Sequence, residues 1–205
     1  MKRIRVRQHV NPDATFYETM EVEPLALGEQ AVELEIGCAE AQFLFERARV
    51  DSSRRYIGLE IREKLVDFVN RRARVEALPV EAIFCHANLH LGQLLPPASV
   101  DRVYLNFPDP WFKRKHHERR MIDPGLAAQV AGILKPGGDL LVQSDVWDIA
   151  LDALAVFDAM DSSFENCGGA WSFWRGPNPF GVRSWRESHC EAEGLPIWRI
   201  VYRRR

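Results

Sequence analysis

The chain is predicted to fold as an α/β domain on a mainly parallel sheet, and three observations carry that prediction. Short apolar runs alternate with longer stretches of helical periodicity along most of the sequence. Several apolar runs end at a glycine or a carboxylate (Gly37, Glu60, Asp145), as strands do where they open into a ligand-binding crevice. Its 205 residues, with no internal repeat, low-complexity segment or linker, fit one domain with a sizeable core.

The first strand is read over Val32–Ile36, ending at Gly37, and a helix follows from Gln42 to Val50. Tyr56–Leu59 is the second strand, ending at Glu60, and Leu65, Phe68 and Val69 give the next helix its apolar face. Ala82–Cys85 is the third strand and Val100–Leu105 the fourth. Met121 to Leu134 reads as a helix stopped by the turn signal Lys135-Pro136-Gly137-Gly138. Leu140–Gln143 is the fifth strand, and Val146 to Met160 is helical. The remainder is less regular: Trp171 to Trp174, a Gly/Pro-rich loop from Gly176 to Gly181, and a last strand Ile197–Tyr202. Residues 1–24, polar with two prolines, are expected to be a basic arm loosely held or ordered by a partner, leaving residues 25–205 as the domain.

A hydrophobic fraction of 46% with 27% charged residues is ordinary for a soluble protein. With a net charge of -2 the chain is no polycation, so contact with nucleic acid must come from local patches. Three stand out: Lys2, Arg3, Arg5 and Arg7; Lys113 to Arg120; and Arg199 with Arg203 to Arg205. Four scattered cysteines without a CxxC pair argue for reduced thiols. No membrane-length apolar run and no signal-peptide core are present, so a cytoplasmic location is expected.

Two segments carry chemistry. At the first strand-to-helix turn stands Glu33-Leu34-Glu35-Ile36-Gly37-Cys38-Ala39-Glu40-Ala41, where Gly37 and the small alanines admit close backbone approach. Glu60 follows at about the 20-residue spacing of a ribose-binding acid. The G-x-G-x-x-G fingerprint is absent, and Glu35 and Glu40 would repel a pyrophosphate. They would attract the sulfonium and ammonium of S-adenosyl-L-methionine. A tight turn with a solvated Glu60 is the plainer alternative. The second segment is Asn106-Phe107-Pro108-Asp109-Pro110-Trp111, followed by the cationic run to Arg120. A carboxylate bracketed by prolines beside an aromatic ring suits a planar base, and the cations suit a polyphosphate. His116 and His117 have no third ligand spaced nearby, so no metal is expected.

With Leu34-Glu35-Ile36-Gly37-Cys38, Tyr56-Ile57-Gly58-Leu59-Glu60, Tyr104 to Trp111, Ser144-Asp145 and Gly194-Leu195-Pro196-Ile197-Trp198-Arg199, the chain resembles the tRNA (guanine-N7-)-methyltransferase family from about Ala31 to Arg199. The resemblance implies a class I methyltransferase (Rossmann-like) three-layer sandwich with a mostly parallel seven-stranded sheet and an antiparallel C-terminal strand. It implies methylation of a guanosine in the tRNA variable loop, with S-adenosyl-L-methionine as methyl donor and tRNA as partner. It implies cofactor contacts at Glu35, Gly37, Glu60 and Asp109. At the third strand end His86 occupies the usual Asp/Asn position, with Asn88 nearby, so either is a candidate for the adenine contact. Lys113, Asp145, Ser184 and Glu187 match substrate-binding positions, the last two where the family has Thr-x-x-Glu. Lys115, His116, His117, Arg119 and Arg120 match the RNA-contact region. Alanines 39 and 41 stand where glycine is common. A monomer or homodimer without an obligate protein partner is expected.

Guanine N7 carries an in-plane lone pair, so its methylation needs no general base. Asp109 is the catalytic candidate because the ring gains positive charge as the bond forms. Two other functions compete: amino-group methylation of a protein or small molecule, and RNA binding by a fold whose cofactor site has decayed. The basic cluster argues against the first, and retention of Glu35, Glu60 and Asp109 together argues against the second.

Overall fold

The computed structural model describes residues 10–12 and 15–205, and for Arg114 the backbone alone. Lys2, Arg3, Arg5 and Arg7 therefore lie outside the described residues, as does most of the arm's first half. In chain order the elements are α1 (Thr15–Glu18), β1 (Val32–Ile36), α2 (Gln42–Val50), β2 (Arg55–Glu60), α3 (Glu63–Glu76), β3 (Val80–Phe84), α4 (Ala87–Leu94), β4 (Val100–Asn106), a 3-10 helix (Arg114–Arg119), α5 (Pro124–Ile133), β5 (Leu134–Ser144), α6 (Trp147–Asp158), β6 (Phe164–Asn166), α7 (Trp185–Ala192) and β7 (Trp198–Arg204).

The seven strands form one sheet in the order β3-β2-β1-β4-β5-β7-β6, with β7 antiparallel to both of its neighbours. The β1, β2, β3, β4 and β5 pairings are all parallel, as the alternating pattern predicts. Both faces of the sheet are covered, so even Glu33 and Glu35 of β1 are buried. One core holds Leu91, Leu126, Val130 and Phe157 from α4, α5 and α6. The other holds Phe43, Phe45, Phe68 and Val69 from α2 and α3 against Tyr56 and Tyr104.

Five elements depart from the sequence reading. The α4 helix was not anticipated, and neither were β6 and α7. The α5 helix starts at Pro124 rather than Met121, because Asp123 caps it by accepting a hydrogen bond from Leu126 N at 2.7 Å. The Lys135-Pro136-Gly137-Gly138 segment is not a loop between elements but a wide bulge inside β5. Val100 pairs with Leu134 and Arg102 with Asp139, so five steps along β5 match two along β4. Residues 15–24 also contribute buried surface: Tyr17 is buried, and Met20 and Val22 pack on the core.

Candidate active site

The sheet order reverses between β1 and β4, so their carboxyl ends flank the crevice in which open α/β sheets bind ligands. A cleft of about 240 Å³ opens there. Of the residues singled out in the sequence, Gly37, Glu60, His86, Asn88, Asp109, Trp111, Arg119 and Arg120 line it.

The turn after β1 forms because Gly37 sits at φ +76°, where a side chain would be strained and its Cβ would meet Met121 Cε at 3.4 Å. Cys38 tucks against β2 so closely that a Cβ on Gly58 would lie 2.4 Å from its Sγ. Ala39 and Ala41 are both left-handed, at φ 49° and 51°, so each carries strain that glycine would avoid.

Glu35, 4% exposed, is not in the cleft lining but adjoins it through Ile36 and Asn106, which are. Asn106 Nδ2 donates to its Oε1 at 2.7 Å, while Oε2 is buried with no hydrogen-bond partner among the described residues. Burial pushes its carboxyl up, the Asn106 bond pulls it part of the way back, and the charge of Glu60 adds to the rise; the result is about 8. A buried acceptor with an idle oxygen is costly unless a ligand supplies a donor or a cation. The ammonium of S-adenosyl-L-methionine fits that requirement.

Glu60, 3% exposed, ends β2 as expected and accepts from Ala39 N at 2.9 Å. It also accepts from Arg62, through N at 3.0 Å, Nε at 2.8 Å and Nη2 at 2.7 Å. The sequence reading overlooked Arg62. Burial alone would lower its guanidinium, but the hydrogen bonds to Glu60 and the charges of Glu60 and Asp109 hold it above its ordinary value. Arg62 thus stands electrostatically between the two acids.

His86 and Asn88 take different positions. The His86 ring lies 5.5 Å from that of Tyr17, at the start of α4. The Asn88 amide donates to Met121 O and Asp123 Oδ2, both at 2.8 Å, tying α4 to the segment after the basic cluster.

Asp109 is exposed on the cleft rim. Trp111 adopts φ 42°, with the Arg119 guanidinium 5.4 Å from its ring centroid and the His116 ring at 5.8 Å. Lys113, Lys115 and His117 are exposed. Arg120 is held inward, pairing with Asp152 and donating to Pro110 O at 3.0 Å. In the C-terminal basic patch Arg199 pairs with Glu187 at 2.8 Å and Arg203 with Asp139 at 2.9 Å, while Arg204 donates to Ala131 O at 2.8 Å.

Lys113, Lys115, His116, His117, Asp145, Ser184 and Glu187 are not in the cleft lining. Asp145 pairs with Arg186. Ser184 and Glu187 form a capping box at the start of α7, with Glu187 N donating to Ser184 Oγ at 3.1 Å. Glu187 is fully buried. A chain of polar side chains joins it to the cleft: Gln143 Nε2 donates to Asn106 Oδ1 at 2.8 Å and to Glu187 Oε2 at 3.1 Å. Asn106, Gln143 and Arg199 were missed as site residues. The available signal was a polar residue inside otherwise apolar strands.

The doubly covered sheet, its switch-point cleft and the acids at the ends of β1 and β2 define the class I S-adenosyl-L-methionine-dependent methyltransferase fold. Solved structures agree on the fold: geranyl diphosphate C-methyltransferase from Streptomyces coelicolor A3(2) superposes with a TM-score of 0.55 at 14% identity, over 93% of this chain and 78% of that one. An rRNA methylase from Streptococcus thermophilus gives 0.53 at 10% identity, over 87% and 89%. The methyltransferase family model Methyltransf_4 matches residues 29–200. Among curated proteins, the tRNA (guanine-N(7)-)-methyltransferase of Synechococcus sp. (strain WH7803) is 36% identical over 97% of this chain and 87% of its own length. That of Trichormus variabilis is 36% identical over 98% and 96%. The chain belongs to the tRNA (guanine-N7-)-methyltransferase family.

Proposed function

We propose that this chain transfers a methyl group from S-adenosyl-L-methionine to N7 of a guanosine in the variable loop of tRNA. The observation that carries the reading is the meeting, in one switch-point cleft, of Glu60 and the Asp109 motif, adjoined by a buried Glu35 with an idle oxygen. When bound, the cofactor supplies an electrophilic methyl group activated by its sulfonium.

Glu35 would hold the ammonium end, and Glu60, presented by Arg62, would accept from the ribose hydroxyls. His86, which lies beside Tyr17, would border the adenine. No residue need remove a proton, because N7 already offers its lone pair, so these side chains act by orientation and electrostatics. Asp109 stabilises the cation that develops on the guanine ring, a contribution larger in the transition state than in the ground state. Lys113, Lys115 and Arg119 hold phosphates around the motif, and Trp111 offers a stacking face. Ser184 and Glu187, outside the cleft lining, brace the guanine side indirectly as the cap of α7, and Asp145 does so through its pair with Arg186.

The protein incubated with labelled S-adenosyl-L-methionine and unmodified tRNA should yield tRNA that breaks at N7-methylguanosine after reduction and aniline treatment. Label on protein or a small amine, with none on tRNA, refutes the reading.

A further inference from the structure

Gln143 sits in the middle of the sheet, fully buried, and lies opposite Asn106 on β4 and Arg199 on β7 in the strand register. All its hydrogen-bonding groups are used. Its amide nitrogen donates to Asn106 Oδ1 and Glu187 Oε2, and its Oε1 accepts from Arg199 Nε at 3.2 Å. Turning the amide over would set an oxygen against two acceptors and an NH₂ group against a donor. Its orientation is therefore determined, and it determines that of Asn106, whose Nδ2 is aimed at Glu35 Oε1.

The result is a buried line, Glu35–Asn106–Gln143–Glu187, with a carboxyl group at each end and amides between. Neither carboxyl is in the cleft lining: Glu35 adjoins it through Ile36 and Asn106, which are, whereas Glu187 caps α7. Glu187 is further held by Arg199 at 2.8 Å and Asn178 Nδ2 at 3.1 Å. Any ligand that adds a donor or cation at Glu35 Oε2 changes the charge that Asn106 meets, and Gln143 is the relay to the α7 cap.

On the reading of Glu35 as the methyl-donor acid, we infer that Gln143 is a positioning residue that couples occupancy of the cofactor cleft to the seating of α7. Binding of the donor tightens the Ser184–Glu187 cap, and a correctly seated cap strengthens donor binding by the same factor, as linkage requires.

The test uses S-adenosyl-L-homocysteine with the full chain, Gln143→Met, Glu187→Gln and the double variant, with backbone hydrogen exchange over 184–188. In the unmodified protein the ligand should slow exchange of these amides, and in Gln143→Met it should not. Each single substitution should weaken ligand binding about 10-fold, with the double no weaker than either single, because both break one line. A folded Gln143→Met that binds with unchanged affinity, keeps the ligand-induced protection, or adds fully to Glu187→Gln overturns the coupling. If Gln143→Met does not fold, the unmodified protein and Glu187→Gln decide: absent protection or unchanged affinity in Glu187→Gln overturns it. Glu35→Gln separates the two levels. Unchanged affinity there refutes the assignment of Glu35 itself, whereas weakened binding there beside an unchanged Gln143→Met refutes only the relay.

Discussion

Replacing Glu35 by glutamine should alter how stability depends on pH, and the size of the change follows from burial. The carboxyl is held at about 8 against an ordinary 4.5, through burial first, opposed by the Asn106 bond and aided by the charge of Glu60. Between these two values the folded chain keeps a proton on Glu35 that the unfolded chain has released. Stability should therefore fall as pH rises through this window and level off above it. The full difference corresponds to at most about 5 kcal/mol, with a slope of at most about 1.4 kcal/mol per pH unit; relaxation and water entry would reduce both. Glutamine cannot ionise, so Glu35→Gln removes the slope. Its new NH₂ group, replacing the idle oxygen, adds a pH-independent cost of about 1–3 kcal/mol. Urea unfolding of both proteins, without ligand, at unit steps from about pH 5 to 9 gives the two curves. The gap between them should close or invert with rising pH. Parallel curves would mean that Glu35 is ionised throughout, and the picture of a desolvated acid awaiting a cation would fail.

The same acid predicts that binding of the cofactor's ammonium releases a proton from Glu35 below about pH 8, so affinity should rise with pH until the ammonium, with an ordinary α-amino value of about 8, begins to lose its own proton. Calorimetry in buffers of different ionisation heat would show the proton, and a buffer-independent heat would contradict it. Asp109→Ala should abolish transfer with cofactor affinity largely intact; loss of binding in equilibrium titration would reassign the residue. Changing Lys115 and Arg119 together should lower the salt slope of tRNA binding by about 1.4–1.8, roughly 0.7–0.9 per phosphate contact. Arg120→Ala, by contrast, should act on stability, because its guanidinium pairs with Asp152 and Pro110 O. An unchanged slope in the first variant, or unchanged stability in the second, would reverse those roles. Ala41→Gly should shift stability by no more than about 1 kcal/mol, since relief at φ 51° is offset by the greater freedom of glycine when unfolded.

Legibility differed by element for physical reasons. The β1 and α2 spans match the reading residue for residue, although burial there does not follow residue type: Glu33, Glu35 and Arg47 are buried and Val50 is exposed. The short β6 strand carries too few residues for a period to show. The Lys135–Gly138 signal was real turn chemistry, but pairing with β4 absorbed it as a bulge inside a strand. Ser184-Trp185-Arg186-Glu187 shows how one string supports two readings. Matched to a family it is a substrate loop, and by helix rules it is a capping box, which is the geometry found.

What the sequence by itself determined is the parallel α/β frame, the acids at the ends of its first two strands and the Asn106–Trp111 motif, since each depends on local pattern or contiguous residues. Tertiary structure alone decided which charges face ligand and which face each other. Arg62, Arg120 and Arg199 look like any surface cation in sequence, yet their guanidinium groups meet Glu60, Asp152 and Glu187. The line from Glu35 through Gln143 to Glu187 joins residues on three strands and a helix cap, and only sheet register brings such distant side chains within hydrogen-bond reach.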